Sequence, residues 1–213
     1  MKKFKYITFL ILIIIGGIYF IKILNMDKNI NIDHIINSIV IIIPENKLES
    51  YKNNPNGIFQ EYKESGIGAG FFIDSNGTIQ TVNHIVEDDK IKYKVIYKNQ
   101  EYNSEIISRN KEKDLAKLKI NSKIKFPTIS NYNNDYLNGE FYSFGVDTKK
   151  LEIIYNTGVI LDKKSKLDNM SNLLEISNQL KPGFSGGPII DSKGNVIGIN
   201  YAISEGKNYG IIY

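Results

Sequence analysis

The chain has 213 residues, 42% of them apolar and 23% charged, with no cysteine, no tryptophan and a formal charge of +4. That apolar content is ample for a core and speaks against global disorder. The missing cysteine excludes a disulfide scaffold, thiolate metal sites, a cysteine nucleophile and a lipidated amino-terminal cysteine. With His34 and His84 as the only histidines, an imidazole-rich metal site does not fit either. Lys2, Lys3, Lys5 and Lys22 fall within the first 24 residues with no acid beside them, which leaves 23 basic against 23 acidic residues in the remainder. A body bound to nucleic acid through its phosphates would keep a basic excess, so nucleic acid is not an expected partner.

Residues 6–24, from Tyr6 to Leu24, are almost wholly apolar and follow three lysines. At about 1.5 Å per helical residue they would reach roughly 28 Å, close to the thickness of a bilayer core, with Lys22 able to snorkel to the interface. The reading preferred is a transmembrane anchor over 1–24 with a short stalk over 25–34. Lysines ahead of the span favour an inside amino terminus and an external body. A cleaved signal peptide competes, although Phe20, Ile21, Ile23 and Leu24 make a poor cleavage site. Cleavage would make the protein secreted.

Beyond Asn25 the pattern turns to short alternating or β-branched runs separated by Gly, Asn and Asp turns. A short helix around Ile32 to Asn37 leads into a strand over Ser38 to Ile43. Pro44 to Ser65, with Asn53-Asn54-Pro55-Asn56-Gly57 inside it, reads as an exposed loop. Further strands are expected at Ala69 to Ile73, Thr78 to Val82, Ile91 to Tyr97, Glu101 to Ser108 and Leu115 to Ile120. Asn121 to Asn138 reads as a crossing, followed by strands at Phe141 to Phe144, Ile153 to Leu161, Leu173 to Ser177, Gly187 to Ile190, Val196 to Ala202 and Tyr209 to Tyr213. Six strands on each side of the crossing make two units of similar size. Ile73-Asp74-Ser75-Asn76-Gly77 echoes Ile190-Asp191-Ser192-Lys193-Gly194, either as a trace of duplication or as two ordinary hairpins, each with Gly where a tight turn needs positive φ.

Lys181-Pro182-Gly183-Phe184-Ser185-Gly186-Gly187-Pro188 is the most informative stretch. Three glycines around one serine describe a backbone bent tightly enough to expose a hydroxyl and converge amide N–H groups on an oxyanion. A Gly-Pro turn with an incidental serine is the plain alternative. A serine nucleophile needs a base and an orienting group. His34 lies beside the apolar segment and reads as a surface residue, which leaves His84 in Thr81-Val82-Asn83-His84-Ile85. Asp114, in Lys113-Asp114-Leu115-Ala116, enters an apolar run where a carboxylate would be partly buried. Most Asp residues before a strand are only turn residues.

Taken together, His84, Asp114 and Ser185 in that order, with Gly68-Ala69-Gly70-Phe71-Phe72-Ile73 ahead of the histidine, resemble the chymotrypsin-fold serine proteases, and within them the HtrA/Deg group of bacteria. The likeness extends to Asn138-Gly139-Glu140, Thr157-Gly158-Val159-Ile160 and Gly194-Asn195-Val196-Ile197-Gly198-Ile199-Asn200. It spans roughly residues 35–213. The resemblance implies an all-β fold of two six-stranded antiparallel β-barrels, at about 35–120 and 139–213, joined by a linker over about 121–138, with the site in the cleft between them. It implies catalytic roles for His84, Asp114 and Ser185, an oxyanion hole made by the N–H groups of Gly183 and Ser185, no metal or organic cofactor, and protein or peptide substrates.

Departures from the family pattern carry expectations of their own. Phe184 stands where digestive members carry an acid and the HtrA group commonly carries Asn, so whether the oxyanion hole is formed at rest is open. Leu180 aligns with the specificity pocket and points to small or medium apolar side chains before the cut. The sequence ends at Tyr213, just inside the expected last strand and before the family's customary terminal helix, so the expectation is either a pared-down protease without a PDZ domain or an incomplete sequence. Trimerisation, usual in the family, depends on a segment not recognisable in Asp27 to Ile36, so a homo-oligomer is neither implied nor excluded. The expected function is a membrane-anchored serine endopeptidase acting outside the cytoplasm. Two alternatives stand beside it. One is a catalytically impaired, peptide-binding module on the same fold. The other is a glutamyl-type endopeptidase, a family that tends to place Ser where Gly187 stands.

Overall fold

The computed structural model describes residues 30–53, 66–129, 131–132, 139–167 and 170–212. The chain divides into two units, Met1–Asn31 and Ile32–Tyr213, and the architecture described below belongs to the second. Among the described residues no helix is long and apolar enough to cross a membrane; the apolar segment 6–24 lies outside them.

Helix α1 (Ile32–Ile36) leads into strand β1 (Ile39–Pro44), whose six residues are all buried. Helix α2 (Glu45–Asn53) follows, and then β2 (Gly68–Phe72), β3 (Thr78–Val82), a 3₁₀ turn (Asn83–Ile85), β4 (Tyr93–Tyr97), β5 (Gln100–Asn110) and β6 (Leu115–Ile120). These six strands close into an antiparallel barrel in the order β1-β2-β3-β6-β5-β4. The second half contributes β7 (Glu140–Asp147), β8 (Glu152–Leu167), β9 (Met170–Ile176), β10 (Pro188–Asp191), β11 (Val196–Ser204) and β12 (Lys207–Ile211). They close in the order β7-β8-β9-β12-β11-β10, the same topology. The expected two six-stranded barrels are present. Strand ends move by a few residues, most at β8, which runs to Leu167 instead of Leu161.

The loop expected over Pro44 to Ser65 begins instead as α2; residues 54–65 lie outside the described part. Its nine residues offer no broad apolar stripe, so the pattern reads as loop. Tertiary contacts hold it: Leu48 is buried, Glu45 pairs with Lys94 at 3.0 Å, and Lys52 pairs with Glu101. Nor is the crossing after β6 merely exposed. Phe126 and Ile129 are buried, and the Phe126 ring stacks on Phe72 at 4.3 Å between centroids, closing one end of the first barrel with an aromatic pair worth more than its area alone. His34 is exposed, and its Nε2 meets the Thr128 carbonyl at 3.2 Å.

The echoed pentapeptides turn out to share turn chemistry. Asp74 Oδ1 accepts the N–H groups of Asn76 and Thr78 at 2.8 and 3.0 Å, and Asp191 Oδ1 accepts those of Lys193 and Asn195, both at 2.9 Å. Gly77 and Gly194 follow at φ +95° and +89°. Burial opposes ionisation of Asp74, yet the hydrogen bonds from Thr78 and Asn76 and the Lys119 charge outweigh it and hold the carboxyl below its usual range. The hairpins occupy different places in their barrels, β2-β3 in one and the fourth and fifth strands in the other. The echo therefore marks a recurrent Asx turn rather than a repeat register.

Candidate active site

His84 and Asp114 come from adjacent strands of the first barrel. Strand β3 pairs with β6 down to Val82 opposite Leu115, which brings the first two residues past β3, Asn83 and His84, against Asp114, the residue just before β6. Asp114 takes a left-handed conformation, φ +49°, which Asp tolerates better than most residues. That turn sends both ends of the residue back toward the histidine. The Asp114 carbonyl accepts the Asn83 N–H at 2.9 Å, Oδ1 accepts the His84 N–H at 2.8 Å, and Oδ2 meets His84 Nδ1 at 2.5 Å. With the carboxylate as acceptor, the ring proton sits on Nδ1 and Nε2 keeps a lone pair. The Asp114 side chain is 12% exposed and that of His84 35%, so the carboxylate is shielded while the imidazole faces the cleft.

Ser185 arrives from the second barrel, in the turn between β9 and β10. The turn is tied to both barrels. The Ala69 N–H of β2 donates to the Ser185 carbonyl at 2.8 Å, and Gly186 N–H donates to the Asn200 carbonyl at 3.0 Å. Asn200, wholly buried, also donates its side-chain amide to the Phe144 carbonyl at 2.8 Å and accepts the Ser143 hydroxyl at 2.7 Å. Each such buried neutral hydrogen bond is worth about 1 kcal/mol net, and more than that if one partner is removed.

His84 and Ser185 line one cleft of about 470 Å³ together with Leu180, Pro182, Tyr201 and Ile203. The Ser185 hydroxyl donates to the Tyr201 carbonyl at 3.3 Å rather than to His84. In unliganded sites the serine–histidine contact is commonly long and tightens when substrate binds. Gly183 stands at φ +99°, and a Cβ there would lie 2.2 Å from the Val146 carbonyl oxygen, so only glycine fits. Among the described residues, the N–H groups of Gly183 and Ser185 donate to nothing in the chain. Two free donors beside a hydroxyl are what an oxyanion requires.

Of the residues singled out from sequence, His84, Gly183 and Ser185 line this cleft, and Asp114 reaches it through its contacts with His84. Leu180 lines it too but is only 7% exposed, being packed in the second barrel's core. Phe184, between Gly183 and Ser185, lines the cleft as well, while its ring is buried in that same core. Two neighbours were not singled out from the sequence. The Tyr201 ring stands edge-on to His84, 6.1 Å between centroids. Arg109, the chain's single arginine, reaches from β5 to the Val86 and Glu87 carbonyls and the Asp89 carboxylate, fixing the segment after His84. Its rarity was a usable hint, since a forked guanidinium suits such multiple acceptance. A second, wider cleft of about 1030 Å³ lies on the Asp114 side of His84, lined by Glu87, Lys111, Glu112 and Met170.

Residues 68–199 match the model of the trypsin-like peptidase domain. The chain belongs to the trypsin-like peptidase family. Within that family it resembles proteins named "Probable periplasmic serine endoprotease DegP-like". The one from Chlamydia pneumoniae is 31% identical over 149 residues, covering 68% of this chain and 30% of its own. That from Rickettsia conorii is 32% identical over 162 residues, 71% of this chain and 32% of its own, and that from Bartonella henselae is 30% identical over 151 residues, 68% and 30%. The chain thus spans about a third of the length of the curated relatives it matches. This peptidase domain corresponds to the stretch where His84, Asp114 and Ser185 all fall.

Proposed function

We propose that the chain is a serine endopeptidase that cleaves peptide bonds through an acyl-enzyme. The observation that carries this reading is the two-point contact of Asp114 with His84, at the cleft where Ser185 sits beside two unengaged N–H groups. His84 Nε2 takes the Ser185 proton as Oγ attacks the carbonyl carbon. Gly183 and Ser185 N–H groups hold the oxyanion. The imidazolium then gives its proton to the leaving amine, and water, deprotonated by His84, releases the acyl group and restores Ser185. Asp114 keeps the proton on Nδ1 and balances the imidazolium charge.

The cleft walls at Leu180, Pro182, Ala202 and Ile203 are apolar, and its one acid among the described residues, Glu87, comes from the segment after His84 rather than from the Leu180 stretch, which supports small or medium apolar residues before the cut. In this backbone a Cβ on Gly187 would lie 2.0 Å from the Phe144 carbonyl oxygen, which weighs against the glutamyl-type alternative with Ser at that position. Incubating the full chain and its Ser185→Ala variant with a peptide library and sequencing the products by mass spectrometry tests both points. Cuts by the unsubstituted chain alone, mostly after Ala, Val or Leu, are expected. Predominant cutting after Lys, Arg or Glu would refute the apolar cleft, and no cutting by the folded chain would favour the peptide-binding alternative.

The proposal extends to location: an anchor formed by residues 6–24, with the barrels outside the cytoplasm. It is supported by the lysines ahead of that apolar run and by relatives whose names call them periplasmic. A cysteine placed at Ser50 should react with an impermeant thiol reagent on intact cells, in the membrane fraction; protection until lysis would contradict it.

A further inference from the structure

We propose that Phe184 is a positioning residue: its ring, seated in the second barrel's core, sets the two N–H groups of the oxyanion hole through apolar packing. The inference rests on the peptidase reading above and adds how that site is kept in its working shape.

The geometry follows the chain through two peptide planes. In the plane between Gly183 and Phe184, the carbonyl accepts the Val146 N–H at 3.0 Å and the N–H donates to the Lys181 carbonyl at 3.0 Å, so both ends are fixed. In the plane between Phe184 and Ser185, the carbonyl accepts the Gly187 N–H at 3.0 Å, which turns the Ser185 N–H the opposite way, outward. The Phe184 Cα joins these two planes. Whatever holds its side chain holds both orientations, and through the Gly183 carbonyl and the Phe184 N–H it constrains the 181–183 bend that carries the Gly183 N–H in the preceding plane.

What holds it is apolar packing. Phe184 is 2% exposed and belongs to a cluster with Phe141, Leu174, Leu180, Ile189 and Ile197. Leu180, 7% exposed in the same cluster, anchors the other end of the 181–183 bend. The seat for the ring is cut by Gly145 of β7: a Cβ there would lie 2.6 Å from both Cα and Cγ of Phe184. A glycine in a strand interior marks such a close approach. The residues of this cluster are all apolar, so packing seats the ring.

The test uses the full chain as wild type, Phe184→Ala, Phe184→Met and Gly145→Ala, each checked for folding by circular dichroism. Two readings are taken. The first is kcat and KM on an acetyl-Ala-Ala-Val 4-nitroanilide. With the ring removed, Phe184→Ala should lower kcat by about 10² to 10³, the loss associated with an oxyanion donor, while KM stays within about threefold. Gly145→Ala should act in the same direction, and Phe184→Met, which refills the seat, should recover most of the loss. The second reading is hydrogen exchange of the 181–187 segment, which should speed by about tenfold or more in Phe184→Ala and Gly145→Ala while β8 and β9 keep their protection. A folded Phe184→Ala with wild-type kcat would overturn the proposal. If that variant does not fold, Gly145→Ala with wild-type kcat and unchanged exchange would overturn it equally. Should the wild type itself lack activity, the peptidase reading fails; the exchange comparison still decides whether Phe184 holds the segment.

Discussion

Ser185→Ala and His84→Ala should each reduce kcat by about 10⁶, and the double variant should be scarcely worse than either alone. The reason is that nucleophile and base act as one unit: without the Ser185 hydroxyl there is nothing for His84 to deprotonate, and without the imidazole the hydroxyl stays a weak nucleophile. The residual rate would come from the Gly183 and Ser185 N–H groups, which remain in place and still stabilise an oxyanion formed by water attack. Neither substitution should unfold the chain. Ser185 Oγ makes one long hydrogen bond, to the Tyr201 carbonyl at 3.3 Å, and the His84 side chain is 35% exposed. Steady-state hydrolysis of a peptide anilide, with thermal unfolding as control, checks both; additive losses in the double variant would show that the two residues do not work together.

Asp114→Asn should lower kcat by about 10⁴ and leave KM nearly unchanged. An amide at 114 can still accept the His84 backbone N–H through its oxygen, in the place of Oδ1. Its NH₂ group then occupies the place of Oδ2, 2.5 Å from Nδ1 in the native contact. A donor there demands a bare Nδ1, so the ring proton moves to Nε2 and faces Ser185, where a base is needed. The substitution keeps the shape of the site and inverts its tautomer, and the loss should fall on kcat because no substrate contact is removed. Measuring kcat and KM separately distinguishes this from structural damage, which would move KM or the melting temperature as well.

Much of this could be read from the residues, for reasons that differ from place to place. The serine turn was legible because glycine and proline have narrow conformational uses, and His84 because the chain offers just one other histidine. Asp114 was legible only through its company, since an aspartate before a strand usually serves a turn; its left-handed backbone, which aims the carboxylate at His84, leaves no mark in the sequence. The strands of both barrels followed from β-branched runs, whereas α2 did not, because Leu48 and two ion pairs supply from a distance what its own polar sequence lacks. Phe126 looked like linker, although it stacks on Phe72 inside the first barrel's aromatic cluster. The seat of Phe184 was hidden for a similar reason: it is formed with Gly145, nearly forty positions away, and pairwise packing across a barrel is not encoded in any local pattern. A glycine inside an expected strand was the one available clue.

The central claim is that Ser185 is a nucleophile activated by this constellation, and active-site labelling tests it most directly. The full chain would be treated with a fluorophosphonate, and the adduct located by mass spectrometry of its peptides. One adduct per chain on Ser185, lost in Ser185→Ala and strongly slowed in His84→Ala, is the predicted result. A folded wild-type chain that takes up no label, or takes it up at another residue, would contradict the claim.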